Sequence, residues 1–290
     1  VMEKGYLYYC KVERADYDKE YYLLRTIDPE GLKPSIYCLL RKDHAVKPLN
    51  VGDMTLVTAV GTWLGRYPVV SQKIPEHVIK ILKMYYGKEL DEIGAFLDRV
   101  ATTRKSKICK VGVWGKAGKK DFYELNKILT SNKEKFQLIL KYIPQPVLIP
   151  SGIEELPFNP SDLESPPWYE MIPPESFVLN ALYPSDIKFI KDYIYEPKFR
   201  RATIVVSNTY MPYFLWKDYL NAKLASKLTK FSYHFINADT GREIVVDVYK
   251  VEEFMKKLNK KSLFFTDIAL NFLKKIFNKK GGFLWKKKKE

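Results

Sequence analysis

The sequence predicts an α+β multidomain protein, with a small five-stranded closed β-barrel, two small α/β units behind it and a helical basic tail. Three observations carry this expectation. Five β-branched or aromatic runs crowd residues 1–72, with turn residues between them. From Pro75 the apolar period lengthens to that of a helix. A succession of strand, helix, short basic loop, helix and strand then occurs twice.

Each element follows from its residues. GYLYYCKV, EYYLLRTI, SIYCLLRK, MTLVTAVG and RYPVVSQ read as strands; ADYDK, DPEGLKPS and VKPLNVGD between them hold the Pro, Gly, Asp and Asn of turns. Such tight spacing suits a small closed barrel. Pro75 marks a helix start, Val78, Ile81, Leu82 and Tyr85 follow at helical spacing, and Gly87 is expected to stop it. EIGAFLDRVATT and KICKVGVW read as strands around the basic turn Arg104-Lys105-Ser106-Lys107. DFYELNKILTSNKEKFQLILKYI reads as two helical pieces, broken at Thr130-Ser131-Asn132-Lys133, and PQPVLIP as a closing strand. Residues 151–176, rich in proline and acid, read as a linker. The cycle is then expected to repeat: FVLNALY, a helical DIKFIKDYIY, a strand in RRATIVVS, a helix–turn–helix over 209–229 and a strand in FSYHFINAD. Residues 251–290 read as an amphipathic helix ending in a lysine tail.

Of the 290 residues, 49 are Lys or Arg against 34 Asp or Glu, a net charge of +15 that points to a polyanionic partner. Nine arginines against forty lysines is the drift expected of an AT-rich genome. Cys10, Cys38 and Cys109 are scattered without a CxxC pair, which argues for a reducing compartment and against disulfides or zinc. His44, His77 and His234 are equally isolated, so no metal or cofactor is expected. No apolar run reaches the ~20 residues that cross a bilayer, and no signal peptide opens the chain. The Val1-Met2 start reads as processed or trimmed.

Catalytic constellations do not emerge. GxGxxG, a P-loop, HExxH and GxSxG are all missing, so no enzyme is expected. Gly112 to Lys119 is glycine-rich and basic but lacks the GK[ST] ending of a phosphate cradle. The remaining chemistry is nucleic-acid binding. A five-stranded barrel can stack unpaired bases on surface aromatics, for which Tyr8, Tyr22 and Tyr37 are candidates.

RRATIVVSNTYMPYFLWKDYLNAKLASKLTKFSYHF resembles the second KH domain of the bacterial transcription factor family NusA. That family has a strand of the type RRA-x-VVV, a glycine loop, a helix reading N-x-(K/R)-LA-x-KLT and an aromatic. The matching residues are Arg200-Arg201-Ala202, Val205-Val206 and Asn221 through Thr229. Phe177 through Leu182, with Pro184, is similar to the F-x-x-NAL-x-P that opens the same domain, and Trp168 falls near a family tryptophan. VGDMTLVTAV followed by YPVVSQKIPEHVIKIL resembles the junction between the S1 barrel and the first KH domain, whose strand hairpin Asp98 to Val113 tracks with Arg104, Lys107 and Val111. The likeness spans residues 5–250. It implies an S1-like OB barrel over 1–72, a KH-like domain over 73–150, a linker over 151–176, a second KH-like domain over 177–250 and a helical basic tail over 251–290. The residues before the barrel do not match the family's N-terminal polymerase-docking domain, which is expected either to lie outside this chain or to have been lost.

One departure matters most. KH domains clamp about four nucleotides with a GxxG loop, because a residue without Cβ lets backbone amides approach a phosphate. Here the loops read Thr130-Ser131-Asn132-Lys133 and Trp216-Lys217-Asp218-Tyr219, so both glycine pairs are gone, and Asp218 would repel a phosphate. The resemblance implies a transcription elongation, termination or antitermination factor that partners a bacterial-type RNA polymerase and single-stranded nascent RNA. Its expected RNA contacts are Lys107, Lys110, Lys116, Lys119 and Lys120 in the first unit and Arg200, Arg201, Lys217, Lys223 and Lys227 in the second. The alternative is a structural subunit of a polymerase assembly, its KH faces turned to protein. Plastid localisation is expected, with an AT-rich bacterial cytoplasm as the alternative.

Overall fold

The computed structural model describes residues 1–17, 19–63, 65–155, 172–248 and 250. The linker's Trp168 and the expected helical tail lie outside these residues.

Five strands, β1 (Leu7–Arg14), β2 (Tyr21–Thr26), β3 (Tyr37–Arg41), β4 (Met54–Trp63) and β5 (Tyr67–Ser71), close into a barrel of order β1-β2-β3-β5-β4. Every neighbouring pair is antiparallel except β3 and β5, which run parallel. This is an OB-like barrel, as the run of short strands predicts. Its interior comes from strand alternation: Cys10, Val12, Tyr22, Leu24, Cys38, Leu40, Val57, Ala59 and Val70 all point inward. The thiols of Cys10 and Cys38, far apart in sequence, meet there and are free.

The next unit is α1 (Pro75–Glu92), β6 (Ala95–Ala101), β7 (Ile108–Gly115), α2 (Phe122–Thr130), α3 (Lys133–Ile139) and β8 (Gln145–Pro150). Its sheet has the order β6-β7-β8, with β6 and β7 antiparallel and β7 and β8 parallel. Helix α1 runs through Gly87 rather than stopping there. Tyr86 and Leu90 continue the buried stripe begun by Val78, Ile81 and Leu82, and that burial outweighs the ~1 kcal/mol an interior glycine costs. The helix ends instead before Gly94, whose φ of +65° suits glycine.

The third body repeats the plan with α4 (Glu175–Asn180), β9 (Ile190–Glu196), β10 (Arg201–Val206), α5 (Met211–Leu215), α6 (Leu220–Thr229) and β11 (Ser232–Asn237), and adds β12 (Glu243–Val246). The sheet order is β12-β11-β10-β9, with β10 and β11 parallel. FVLNALY opens in α4 and ends in a turn, with Phe177, Val178, Ala181 and Leu182 buried together. One expectation is reversed here. DIKFIKDYIY supplies β9, because Tyr193 and Tyr195 alternate toward the core while Asp192 and Ile194 point away.

The two units stack. In β7, Cys109, Val111 and Val113 face their own unit's core, while Trp114 on the other face joins the core of the next unit with Ala101 and Ile149. Trp114 meets Phe177 of α4 at 5.2 Å between ring centroids. A Cβ at Gly112 would lie 3.0 Å from the Phe177 ring, so glycine is what lets the ring seat on the sheet. The outer face of the second sheet has no such cover among the described residues: Ile194 and Val245 are 50% and 52% exposed.

Candidate nucleic-acid interface

On the barrel, alternation divides the candidate tyrosines. Tyr22 is buried and its hydroxyl accepts the Leu49 amide at 3.3 Å. Tyr8 packs against the barrel core and accepts the Glu3 amide at 2.8 Å. Tyr37, at 55% exposure, is the one of the three open to a ligand. It sits opposite Arg25 on β2, whose guanidinium is held by Glu13 at 2.7 Å.

The ten expected phosphate contacts fall into three groups. Lys107, Lys116, Lys217 and Lys223 are exposed and make no ion pair among the described residues. They do not form one patch, since Lys107 and Lys116 flank the two ends of β7. A second group is engaged in ion pairs, with Lys119 exposed and Lys120 and Arg201 partly buried: Lys119 with Glu154 at 2.9 Å, Lys120 with Glu124 at 2.5 Å, and Arg201 with both oxygens of Glu196. The Glu154 carboxylate holds Lys119 above the usual lysine range, and Glu196 does the same for Arg201. Such surface pairs are worth ~1 kcal/mol or less, so a phosphate can compete for the cation.

The third group lies inside. Lys110 is fully buried on the second face of β7, donating to the Ala181 carbonyl and to Asn221 Oδ1, each at 2.5 Å. Burial alone pushes its pKa well below the ordinary lysine value. Arg200 is 1% exposed, and Lys227, half-buried, donates to the Thr102 carbonyl of the first unit. Lys110 and Lys227 thus fasten one unit to the next, and neither Lys110 nor Arg200 has surface to offer a phosphate. The expectation that Lys110 contacts RNA fails because the second unit covers the back of the first sheet, and that for Arg200 fails because it is buried just before β10.

The two helix–helix joints differ. In the first, Ser131 is right-handed (φ −60°, ψ −33°) and Asn132 caps α3, its side chain accepting the Lys135 amide at 3.0 Å. In the second, Trp216 (φ 60°, ψ 178°), Asp218 (φ 54°, ψ 24°) and Tyr219 (φ 59°, ψ 28°) all hold positive φ. The Trp216 conformation is one that only glycine adopts freely, and each such residue costs on the order of 1–3 kcal/mol. The second joint therefore has a backbone suited to glycine and carries side chains there.

Two residues that chemistry did not single out prove central. Asn221 Nδ2 donates to the Leu182 carbonyl at 3.0 Å, Ser185 Oγ at 3.2 Å and the Phe214 carbonyl at 3.0 Å, while its oxygen accepts from Lys110. His77 links barrel and first unit: Nε2 donates to the Tyr142 carbonyl and Nδ1 accepts from the Thr58 hydroxyl, both at 2.9 Å. The carbonyl fixes this tautomer, and burial lowers the His77 pKa to about 4. The legible signal for each was a polar residue on the apolar side of a helix. Also buried is Asp98, raised to about 6 by desolvation against the opposing pull of Arg99 and the Trp114 N–H.

No protein-family model matches the chain, and no curated protein matches it. Its functional reading rests on this geometry and on the motifs.

Proposed function

We propose that the chain is a NusA-like RNA-binding factor that works beside a bacterial-type RNA polymerase, in a plastid or a bacterium, and guides nascent single-stranded RNA during elongation, termination or antitermination. The observation that carries this reading is the order of parts. An OB-like barrel precedes two units that each run helix, strand, strand, helix, helix, strand. In each unit the helix–helix joint falls where a KH domain holds its clamp. On this reading the barrel is S1-like and the two units are KH-like. The +15 charge and the four uncommitted lysines supply a phosphate-binding surface that does not depend on the lost glycines. Binding of this kind is governed by phosphate contacts and carries little sequence preference. Titrating a fluorescent single-stranded RNA with the full chain at several salt concentrations tests it. The expected outcome is an affinity whose logarithm falls linearly with log salt. Affinity no greater than that of an unrelated protein of equal charge overturns it.

A specific observation favours a second reading, a scaffold subunit whose KH-like surfaces bind protein. The joint at 216–219 is filled by aromatic side chains, and the outer sheet face carries exposed Ile194 and Val245. Exposed large apolar side chains serve as interface anchors. Polymerase capture that persists when RNA is digested is the result this reading expects.

A further inference from the structure

Beside the strained joint lies an aromatic groove that the KH motif does not account for. It encloses about 390 Å³ between the segment after α4 and helix α5, lined by Pro184, Asp186, Phe189, Tyr210, Tyr213 and Trp216 among others. Phe189 and Tyr210 stack at 3.9 Å with 15° between their planes. Tyr213 stands out at 65% exposure, its backbone carbonyl held by the Ser185 hydroxyl at 2.6 Å. Trp216 forms a further wall, and the costly backbone of that residue accompanies an indole with the Lys110 Nζ 5.9 Å from its ring. Backbone strain persists only where the surroundings over-determine it; here they hold an aromatic plane at the edge of a groove.

Charge selects among occupants. Lys188, 5.1 Å over the Phe189 ring, borders the groove, and exposed Lys217 follows the lining Trp216 directly in sequence, in a strongly basic chain. An aromatic plane bordered by cations is the arrangement that receives a base while its phosphates stay on the rim. Asp186 adds an acceptor at the same edge, with its carboxylate 2.7 Å from the Lys188 ammonium. Carboxylates accept from exocyclic amino groups of bases.

We propose that this groove binds one unpaired nucleobase of a single-stranded RNA, with Tyr213 as its stacking surface and Lys188 and Lys217 on the flanking phosphates. The inference rests on the RNA-guiding reading above and deepens it. Stacking on the groove supplies the base contact, and the filled GxxG joint serves as its wall.

The test compares two oligonucleotides of one length, an oligouridylate carrying a single 2-aminopurine and a strand abasic at every position, each titrated with full-length wild type, Tyr213→Ala, Tyr213→Phe and the exposed-aromatic control Tyr123→Ala on helix α2. The expected result is a loss of about tenfold in affinity for the base-bearing strand in Tyr213→Ala, with no loss for the abasic strand. Tyr213→Phe and Tyr123→Ala should bind as wild type does, and 2-aminopurine fluorescence should be quenched by wild type and not by Tyr213→Ala. Equal affinity for both strands, still salt-dependent, overturns the groove and leaves the RNA-guiding reading standing. Failure to bind either strand overturns both. Release of a proline-rich peptide by Tyr213→Ala, with RNA binding unchanged, also overturns the proposal, since aromatic grooves of that kind take polyproline segments.

Discussion

The two α/β units share one topology and differ at the place where that topology would act. The first joins its helices with an ordinary cap, Ser131 right-handed and Asn132 holding the Lys135 amide. The second joins them through three non-glycine residues at positive φ and anchors them with Asn221, which ties α6 to the first unit through Lys110. The same joint therefore takes two forms. In the first unit it is a plain turn. In the second, three residues other than glycine are held in a backbone that suits glycine.

That contrast can be broken at several points. The largest effect is expected at the anchor. Asn221→Ala strips a fully buried side chain of its partners and leaves the Lys110 amine with one acceptor, which should cost about 3 kcal/mol in denaturant unfolding. Asn132→Ala at the first joint removes one exposed cap and should cost only about 1 kcal/mol.

The fastening of the first unit to the barrel responds to acid through His77. His77 has a folded pKa depressed from 6.5 to about 4, so its contribution is complete above pH 6.5 and is lost as pH falls toward 4. Asp98, raised to about 6, works in the opposite sense over nearly the same range, since its desolvation penalty disappears as it takes up a proton. Comparing wild type with His77→Gln cancels the Asp98 contribution. Their stability difference should shrink by about 3 kcal/mol between pH 7 and pH 4; a difference independent of pH would mean that His77 is not held neutral.

The sharpest comparison carries opposite signs. Tyr219→Gly relieves a left-handed tyrosine at a helix N-cap and should stabilise the fold by about 1 kcal/mol. Ser131→Gly, placed where φ is already −60°, should destabilise it by about 0.5–1 kcal/mol. Thermal unfolding of the pair reads both, and equal signs would remove the distinction between the joints.

Much of the architecture was legible in local pattern. Turn residues between short alternating runs foretold the barrel, and Asn132 and Trp216 were recognised as the places where helices break. What failed was tertiary. The period-two alternation of Tyr193 and Tyr195 competes in the sequence with a helical spacing of apolar residues, and Gly87 marks no stop because Tyr86 and Leu90 carry the buried stripe past it. The site divided the same way. Lys107, Lys116, Lys217 and Lys223 are exposed as a charged residue usually is. Lys110 is buried against Asn221, 111 residues away in sequence, and Arg200 is buried just before β10. Nothing local announces that a second unit covers the back of β7.

The central claim is that exposed lysines bind RNA phosphates while buried ones hold the units together. It is tested most directly by the salt dependence of single-stranded RNA binding in wild type and in a variant with Lys107, Lys116, Lys217 and Lys223 all changed to Ala. At about 0.7 per phosphate contact, the slope of log affinity against log salt should become shallower by about 2 to 3 in the variant, with its unfolding midpoint unchanged. An unchanged slope would contradict the account and place any RNA contact elsewhere on the chain.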